Sequence, residues 1–239
     1  MLSSMKVKLT TAAVLASILM FWAPQQVRAD LVLYLQEDGG VITEEGRAVG
    51  APNQSLNISL SFGDFSVTFL GGASVNAATM SELLSSTTMV VNNDASNQHT
   101  LNLWVTQTDY SLPSGTLLNV ESGLGGKHVT GTTVGFTGIF QAWADKNNNE
   151  RGTGDFTNGP QTASPSGNSF DTGSAFGVFT RLGTNYSLTS VANLTLSAGG
   201  TVNYSDTVDV RAVPEPVSMI LVGTGLLGLV VSSRLRRGK

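Results

Sequence analysis

The stretch LNISLSFGDFSVTF, residues Leu56–Phe69, alternates apolar and polar residues on both sides of a Gly-Asp pair. Apolar residues fill every second position up to Phe62, and the same alternation resumes at Phe65. A period of two places the apolar side chains on one face of a strand, and a Gly-Asp pair is typical of a tight turn. The stretch therefore predicts a β-hairpin that buries one face.

The same alternation returns further along the chain, at Leu101–Val105 and at Leu194–Tyr204, where Gly199-Gly200 supplies a turn. Predicted strands a few residues long are separated by Gly, Asn, Asp or Pro, which is typical of β-sandwiches and jelly rolls. We therefore predict one all-β domain over residues 30–212, a β-sandwich or jelly-roll-like body.

Two segments of this body do not follow the pattern. Met80, Leu83 and Leu84 have helical spacing after Thr79, a suitable N-cap, which predicts one short surface helix. The segment 145–168 is rich in Asn, Gly, Pro and Thr, which predicts a long exposed loop.

Composition excludes several classes of protein. Hydrophobic residues make up 41% of the 239 residues and charged residues only 13%, which argues against a disordered chain. Cysteine is absent, so disulfides, thiolate nucleophiles and cysteine zinc sites are excluded. Between Asp30 and Arg211 there are 16 acidic residues against 6 basic ones, and such a negative body disfavours binding of nucleic acid.

The N-terminal segment has the three parts of a secretory signal peptide. Lys6 and Lys8 precede an uninterrupted apolar run over residues 9–22, and small residues follow up to Ala29. We predict a signal peptide over residues 1–29 that is exported by the Sec machinery and cut by signal peptidase between Ala29 and Asp30.

The C-terminal segment, VPEPVSMILVGTGLLGLVVSSRLRRGK over residues 213–239, combines a proline motif, an apolar run and a basic end. The prolines favour an extended backbone, and the apolar run predicts a transmembrane helix over residues 217–233. Basic residues near a membrane span remain on the cytoplasmic side, which orients the body outward; here they are Arg234, Arg236, Arg237 and Lys239.

This tail resembles the PEP-CTERM sorting signal of Gram-negative bacteria, whose motif corresponds here to Val213, Pro214, Glu215 and Pro216. The resemblance implies that an exosortase, an integral-membrane enzyme, cuts the chain near the motif. It also implies a precursor held in the inner membrane with its body in the periplasm, and a product on the outer surface or outside the cell. A plain single-pass membrane anchor is the alternative.

No catalytic constellation is evident, and we expect no enzymatic activity. His99 and His128 have no metal-ligand spacing, and we expect solvated or structural roles for both. The carboxylate pairs Glu37-Asp38 and Glu44-Glu45 flank a glycine turn, and we expect them to be solvated turn charges.

One segment carries oxygen ligands at calcium-type spacing. In DKNNNERGTGD, Asp145, Asn147 and Asn149 occupy positions one, three and five of such a loop. Glu150 stands where the loop prefers glycine, and Asp155 lies next to the position of the final acidic ligand. We expect no other cofactor, and the alternative to a Ca²⁺ site is an asparagine-rich turn.

The sequence thus predicts an exported, non-catalytic surface or extracellular-matrix protein associated with extracellular polysaccharide or biofilm. A lectin-like module that binds glycans through Trp104, Trp143 or polar groups of loops is a second hypothesis. A secreted hydrolase is the third, and it requires a buried carboxylate or histidine beside a pocket.

Overall fold

The computed structural model describes residues 29–50, 53–93, 95–130, 136–213 and Thr224. The predicted signal peptide, apart from Ala29, therefore lies outside the described residues. So do Pro214, Glu215 and Pro216, the predicted transmembrane helix apart from Thr224, and the basic tail.

The described chain is built from strands. In chain order they are β1 Asp30–Glu37, β2 Thr43–Val49, β3 Ser55–Phe62, β4 Phe65–Asn76, β5 Ser81–Asn93, β6 His99–Tyr110, β7 Leu117–Thr130, β8 Thr137–Asp145, β9 Phe156–Thr157, β10 Gln161–Thr162, β11 Ser164–Ser166, β12 Ser169–Asp171, β13 Ala175–Thr180, β14 Tyr186–Leu196 and β15 Thr201–Ala212.

These strands form two antiparallel sheets. The first sheet has the order β10-β8-β14-β6-β1-β2, with β9 also paired to β8. The second sheet has the order β11-β12-β7-β15-β5-β4-β3, with β13 also paired to β7. The chain passes repeatedly from one sheet to the other, so most neighbours in a sheet are distant in sequence. The predicted all-β sandwich is confirmed.

The core lies between the two sheets and follows the period-two pattern of the strands. In β6, Leu101, Leu103 and Val105 face inward and are buried. Opposite them, β15 contributes Val202, Val208 and other inward side chains to the same hydrophobic cluster. Burial of these side chains is the main favourable contribution to folding.

The predicted hairpin is confirmed by the pairing of β3 with β4. Phe62 pairs with Phe65 across the turn, and Gly63 has a φ of 56°, a conformation that favours glycine. Strands also form at the two other predicted positions, in β6 and in β14 with β15. The Gly199-Gly200 turn joins β14 of the first sheet to β15 of the second, so it connects the two layers.

The helix predicted from Met80, Leu83 and Leu84 is wrong, because Ser81–Asn93 forms strand β5. Ser81, Leu83 and Ser85 alternate inward and are all buried. The serines are satisfied by hydrogen bonds: the Ser81 hydroxyl donates to the Leu112 carbonyl, and the Ser85 hydroxyl donates to Asp206. Polar residues at inward positions concealed the period of two.

The long loop predicted over residues 145–168 is correct only in part. The segment contains three short strands, β9 to β11, and buries several residues. The amide nitrogen Nδ2 of Asn158 donates to the carbonyls of Val120 and Ala175, which ties this segment to the second sheet. Side-chain amides here replace the apolar contacts that the sequence lacks.

Candidate functional site

The two ends of the strand-forming body lie beside the two predicted processing points. Ala29 is buried, and its carbonyl oxygen accepts a hydrogen bond of 3.1 Å from the Gly50 amide. At the other end, the Val213 amide donates to the Leu117 carbonyl at 3.1 Å, directly after β15 ends at Ala212. Among the described residues no helix is long and apolar enough to cross a membrane.

The four predicted calcium ligands lie in one loop, residues 145–155, here called the Asp145 loop. Asp145 is 2% exposed. Its Oδ1 accepts from the Asn147 amide at 2.9 Å, and its Oδ2 accepts from the amide and Nδ2 of Asn149 at 3.1 and 2.8 Å. Asp155 binds the Lys146 ammonium at 2.6 Å.

In this arrangement N–H donors and one ammonium group occupy the carboxylate oxygens that a cation would need. The Asn147 side chain is exposed, and only the backbone of this residue contacts Asp145. The calcium site therefore stays a prediction. The structure describes the asparagine-rich turn in which side-chain oxygens accept from nearby backbone amides.

The Asp145 loop packs against the outer face of the first sheet. Glu150 accepts a hydrogen bond from the Tyr34 hydroxyl at 2.5 Å and forms an ion pair with Arg47. The guanidinium of Arg151 lies 4.9 Å from the centre of the Tyr34 ring. Burial and the neighbouring Glu150 raise the pKa of Tyr34 to about 12, so its hydroxyl remains a donor near neutral pH.

The two tryptophans proposed as glycan contacts lie together on the same face. Trp104 and Trp143 are stacked, with ring centres 5.8 Å apart and planes 5° apart. Both side chains are partly exposed, and Trp104 pairs in register with Tyr34 on β1. Among the described residues the Trp104 Nε1 donor is buried and has no partner. The two stacked rings form an aromatic surface on this face of the first sheet.

A groove of about 350 Å³ crosses the outer face of the second sheet and was not predicted from the sequence. Phe176 on β13 lines it and is 72% exposed. Glu121 pairs in register with Phe176 on one side and with Asp209 on the other. Burial raises the pKa of Asp209, and Arg211 offsets this only in part. The alternation in AFGVF of β13 could have indicated this strand and its exposed apolar side chains from the sequence.

The histidines have different surroundings. His128 lies in β7, and the centre of its ring is 4.3 Å from that of Phe136 and 5.2 Å from that of Phe170. These ring contacts indicate a structural role. Burial lowers the pKa of His128. His99 instead lies at the start of β6 among carboxylates, with Nδ1 2.6 Å from Asp38. This hydrogen bond raises the pKa of His99.

Three of the four carboxylates predicted to be solvated turn charges are engaged in contacts. Glu37 and Asp38 lie beside His99, and Glu44 forms a hydrogen-bonded ion pair with Arg47 at 2.7 Å. The glycine turn between the pairs is present, with Gly39 at a φ of 73°. His99 comes from a distant part of the chain, so local sequence gave no indication of its contact with Asp38, whereas Arg47 lies only three residues from Glu44.

Comparisons with known proteins identify the tail. A family model for the PEP-CTERM protein-sorting motif matches residues 212–237. No curated protein matches the chain significantly.

Similarity to solved structures is weak. The enzymatically active domain of tailspike protein 4 from bacteriophage CBA120 is 17% identical with a TM-score of 0.24; the match covers 53% of this chain and 19% of the tailspike chain. TmCBM27, a carbohydrate-binding module that recognises mannan, is 11% identical with a TM-score of 0.26, covering 67% of this chain and 88% of that module. Neither likeness carries an argument about function.

The family match coincides with the tail in which the sequence placed a proline motif, an apolar run and a basic end. The predicted resemblance is therefore confirmed. Such a motif implies a precursor that is exported and anchored in the membrane, with an exosortase as its processing partner. This chain carries the PEP-CTERM protein-sorting motif and is an exported protein targeted to an exosortase.

Proposed function

We propose that this chain is a non-catalytic protein of the cell surface or extracellular matrix that is released from its tail at the sorting motif. The observation that carries the proposal is the position of the motif, which matches from residue 212, where β15 ends. Every strand that the structure describes ends by residue 212, so the tail beyond it can be removed without loss of a described strand.

Packing of β15 supports this separation of body and tail. The strand lies between β5 and β7 in the second sheet, and its inward side chains up to Val210 are buried. The amide of Val213 makes the last backbone hydrogen bond among the described residues of this segment. A cut beyond Val213 therefore leaves every ladder of β15 intact.

The proposed route begins with the signal peptide over residues 1–29, export by Sec and cleavage by signal peptidase. The precursor then lies with its body in the periplasm, and the processed body reaches the outer surface or the extracellular polysaccharide of a biofilm. Support comes from the start of β1 at Asp30 and from the negative body with few charges. A surface of Ser, Thr and Asn suits a hydrated polysaccharide matrix.

The test is mass spectrometry of the C-terminus in cells that contain an exosortase. The double variant Glu215→Ala/Pro216→Ala is compared with the matched tail variant Ser232→Ala/Ser233→Ala. We expect the first to accumulate as membrane-bound precursor and the second to be processed like the natural chain. An exported protein that still ends at Lys239 would contradict processing at the motif.

The stacked tryptophans favour a second function, binding of extracellular polysaccharide. Partly exposed aromatic rings provide flat apolar surfaces that suit the C–H faces of sugar rings. Trp104 and Trp143 are held parallel, so little conformational entropy is lost when a ligand binds.

Isothermal titration with purified polysaccharide from a producing bacterium tests this second function. We expect binding that Trp143→Ala reduces at least tenfold and that Phe176→Ala leaves unchanged. Loss of binding in Phe176→Ala alone would place the sugar in the groove of the second sheet. No heat at millimolar sugar would contradict both positions.

A further inference from the structure

Three turns at one end of the sandwich bring four ionisable side chains together. Glu37 ends β1 and Asp38 follows it, Asp64 lies in the β3–β4 turn, and His99 begins β6; they are called here the His99 cluster. One ligand atom from each of Glu37, Asp64 and His99 lies within 4.8 Å of the other two. The cluster joins both sheets, since the β3–β4 hairpin belongs to the second and β1 and β6 to the first.

The imidazole of His99 is held by a carboxylate on one side and faces another on the opposite side. Nδ1 lies 2.6 Å from Oδ2 of Asp38 and 4.0 Å from Oε1 of Glu37, whereas Nε2 lies 3.5 Å from Oδ2 of Asp64. A histidine that binds a metal usually donates its second ring N–H to a carboxylate, which fixes the ring and its tautomer. With the proton on Nδ1 and directed at Asp38, the Nε2 lone pair points toward Asp64.

Backbone amides and a glycine position the carboxylates. The Asp64 amide donates to Oε1 of Glu37 at 3.1 Å, and the Thr100 amide donates to Oδ1 of Asp38 at 2.8 Å. A Cβ atom at Gly63 would lie 1.6 Å from Oε2 of Glu37. The absence of a side chain at Gly63 thus leaves the space that the Glu37 carboxylate occupies above the turn. In these contacts a backbone amide donates to one oxygen of Glu37 and one of Asp38, and not to the other oxygen of either.

The charges of the cluster do not balance. Three carboxylates surround one imidazole, and among the described residues no lysine or arginine forms an ion pair with any of them. Even an imidazolium would leave two negative charges uncompensated. In the same fold, the three carboxylates Asp30, Glu44 and Glu150 converge on the permanent charge of Arg47, whereas His99 carries a charge only when it is protonated.

We propose that Glu37, Asp64 and His99 bind a divalent transition metal of the zinc class, with Asp38 as the residue that orients the imidazole. Mixed nitrogen and oxygen ligands suit Zn²⁺, whereas Ca²⁺ and Mg²⁺ prefer oxygen alone. In a tetrahedral site with ligand bonds of about 2.1 Å, ligand atoms lie roughly 3.4 Å apart. The 3.5 Å between Nε2 and Asp64 already matches this separation.

A metal at this point would fasten the β3–β4 hairpin to the first sheet. The hairpin contains β3, which lies at the edge of the second sheet and pairs only with β4 among the strands that the structure describes. A ligand that binds the folded state and not the unfolded state stabilises the fold. Zinc at 100 times its Kd would therefore raise the melting temperature of a chain this size by about 5 to 10 °C.

Calorimetric titration of the EDTA-treated full chain in detergent with ZnCl₂ at pH 7.5 tests the proposal. We expect one Zn²⁺ per chain and a matching rise in melting temperature. His99→Gln and the turn variant Asp64→Asn should each weaken zinc binding at least tenfold. His128→Gln is the matched control, since His128 lies outside the cluster, and it should bind zinc like the natural chain.

Asp38→Asn separates the orienting role from direct ligation, because it keeps the side-chain length and changes the partner of Nδ1. We expect it to weaken zinc binding by about tenfold while one ion still binds per chain. CaCl₂ and MgCl₂ serve as parallel probes and should produce no comparable shift. The proposal would be overturned if Ca²⁺ bound as tightly as Zn²⁺, or if both His99→Gln and Asp64→Asn bound Zn²⁺ like the natural chain. It would also be overturned if no zinc bound at millimolar concentration.

Discussion

Asp206 is a carboxyl group buried between the two sheets beside the hydroxyl of Ser85. It projects inward from β15, is 1% exposed, and accepts a hydrogen bond of 2.7 Å from Ser85 on β5. Burial raises its pKa to about 7, an effect that the Ser85 hydrogen bond only partly opposes. Near neutral pH this group therefore takes up a proton that the unfolded chain releases.

The sign of the pH dependence follows from the two pKa values. The folded pKa lies near 7 and the unfolded pKa near 3.8, so the stabilisation is complete below about pH 4 and is lost as the pH rises through 7. This difference of about three units between the folded and unfolded pKa corresponds to about 4 kcal/mol in the free energy of unfolding. We predict that the free energy of unfolding falls between pH 4 and 8, and that Asp206→Asn removes most of this fall.

Urea unfolding at pH 5 and pH 8 measures the effect. Asn resembles the protonated carboxyl in shape but does not titrate, so the variant should gain stability relative to the natural chain at the higher pH. Glu45→Gln, at a partly exposed position of β2, is the control and should keep the natural pH dependence. An equal fall in natural chain and Asp206→Asn would show that other groups cause it.

At the scale of elements, Arg47 connects three segments. From β2 it binds Asp30 on β1 at 2.9 Å, Glu44 on its own strand at 2.7 Å and Glu150 in the Asp145 loop at 2.5 Å. Its pKa is raised by these carboxylates, chiefly through the hydrogen bonds that Arg47 donates to Glu44 and Glu150. The side chain is 27% exposed, so solvent screens part of the attraction.

We predict that Arg47→Ala lowers the free energy of unfolding by about 1 to 2 kcal/mol, since it leaves three carboxylates without their partner. Arg211→Ala is the matched control, because Arg211 is 58% exposed and makes one ion pair of 3.5 Å. Its cost should be below about 0.5 kcal/mol. Equal costs in urea unfolding would mean that the Arg47 network does not hold the loop.

Elements with local patterns could be predicted from the sequence, and elements with concealed patterns could not. The β3–β4 hairpin has an uninterrupted alternation and its turn residues lie within it, so local sequence was sufficient. Strand β5 has serines at two inward positions, and only Leu112 and Asp206, from other elements, show why those serines are buried. Partners that stabilise such polar residues are invisible before the fold is known.

The same limit applies to the candidate sites. The sorting motif is a continuous stretch, and the family match confirmed it. The His99 cluster joins residues that lie up to 62 positions apart, and β7 and β15 bring Glu121 beside Asp209 across the groove. Trp104 and Trp143 were proposed singly, and their stacking depends on β14, which lies between their strands.

At the scale of the whole molecule, the order of the strands fixes when the fold is complete. The last strand among the described residues, β15, lies between β5 and β7, so the second sheet cannot close until the chain has been made up to Ala212. The sorting motif begins at this point. A tail that is removed after folding must follow the last strand, because the loss of a central strand would expose both neighbours and open the core.

Truncation makes this relation measurable. A chain that ends at Val213 keeps every pair of β15, and we predict that its unfolding midpoint in urea equals that of the full chain in the same detergent. A chain that ends at Thr207 loses the buried Val208 and Val210, together with their pairs to β5 and β7. Domains are stable by only about 5 to 15 kcal/mol. Loss of two buried valines and of the backbone hydrogen bonds on both sides of the strand removes a large part of that free energy, so we expect no cooperative transition. A lower midpoint in the chain ending at Val213 would show that the body and the tail are not separate folding units. A cooperative transition in the shorter chain would show that the end of β15 is not needed for the fold.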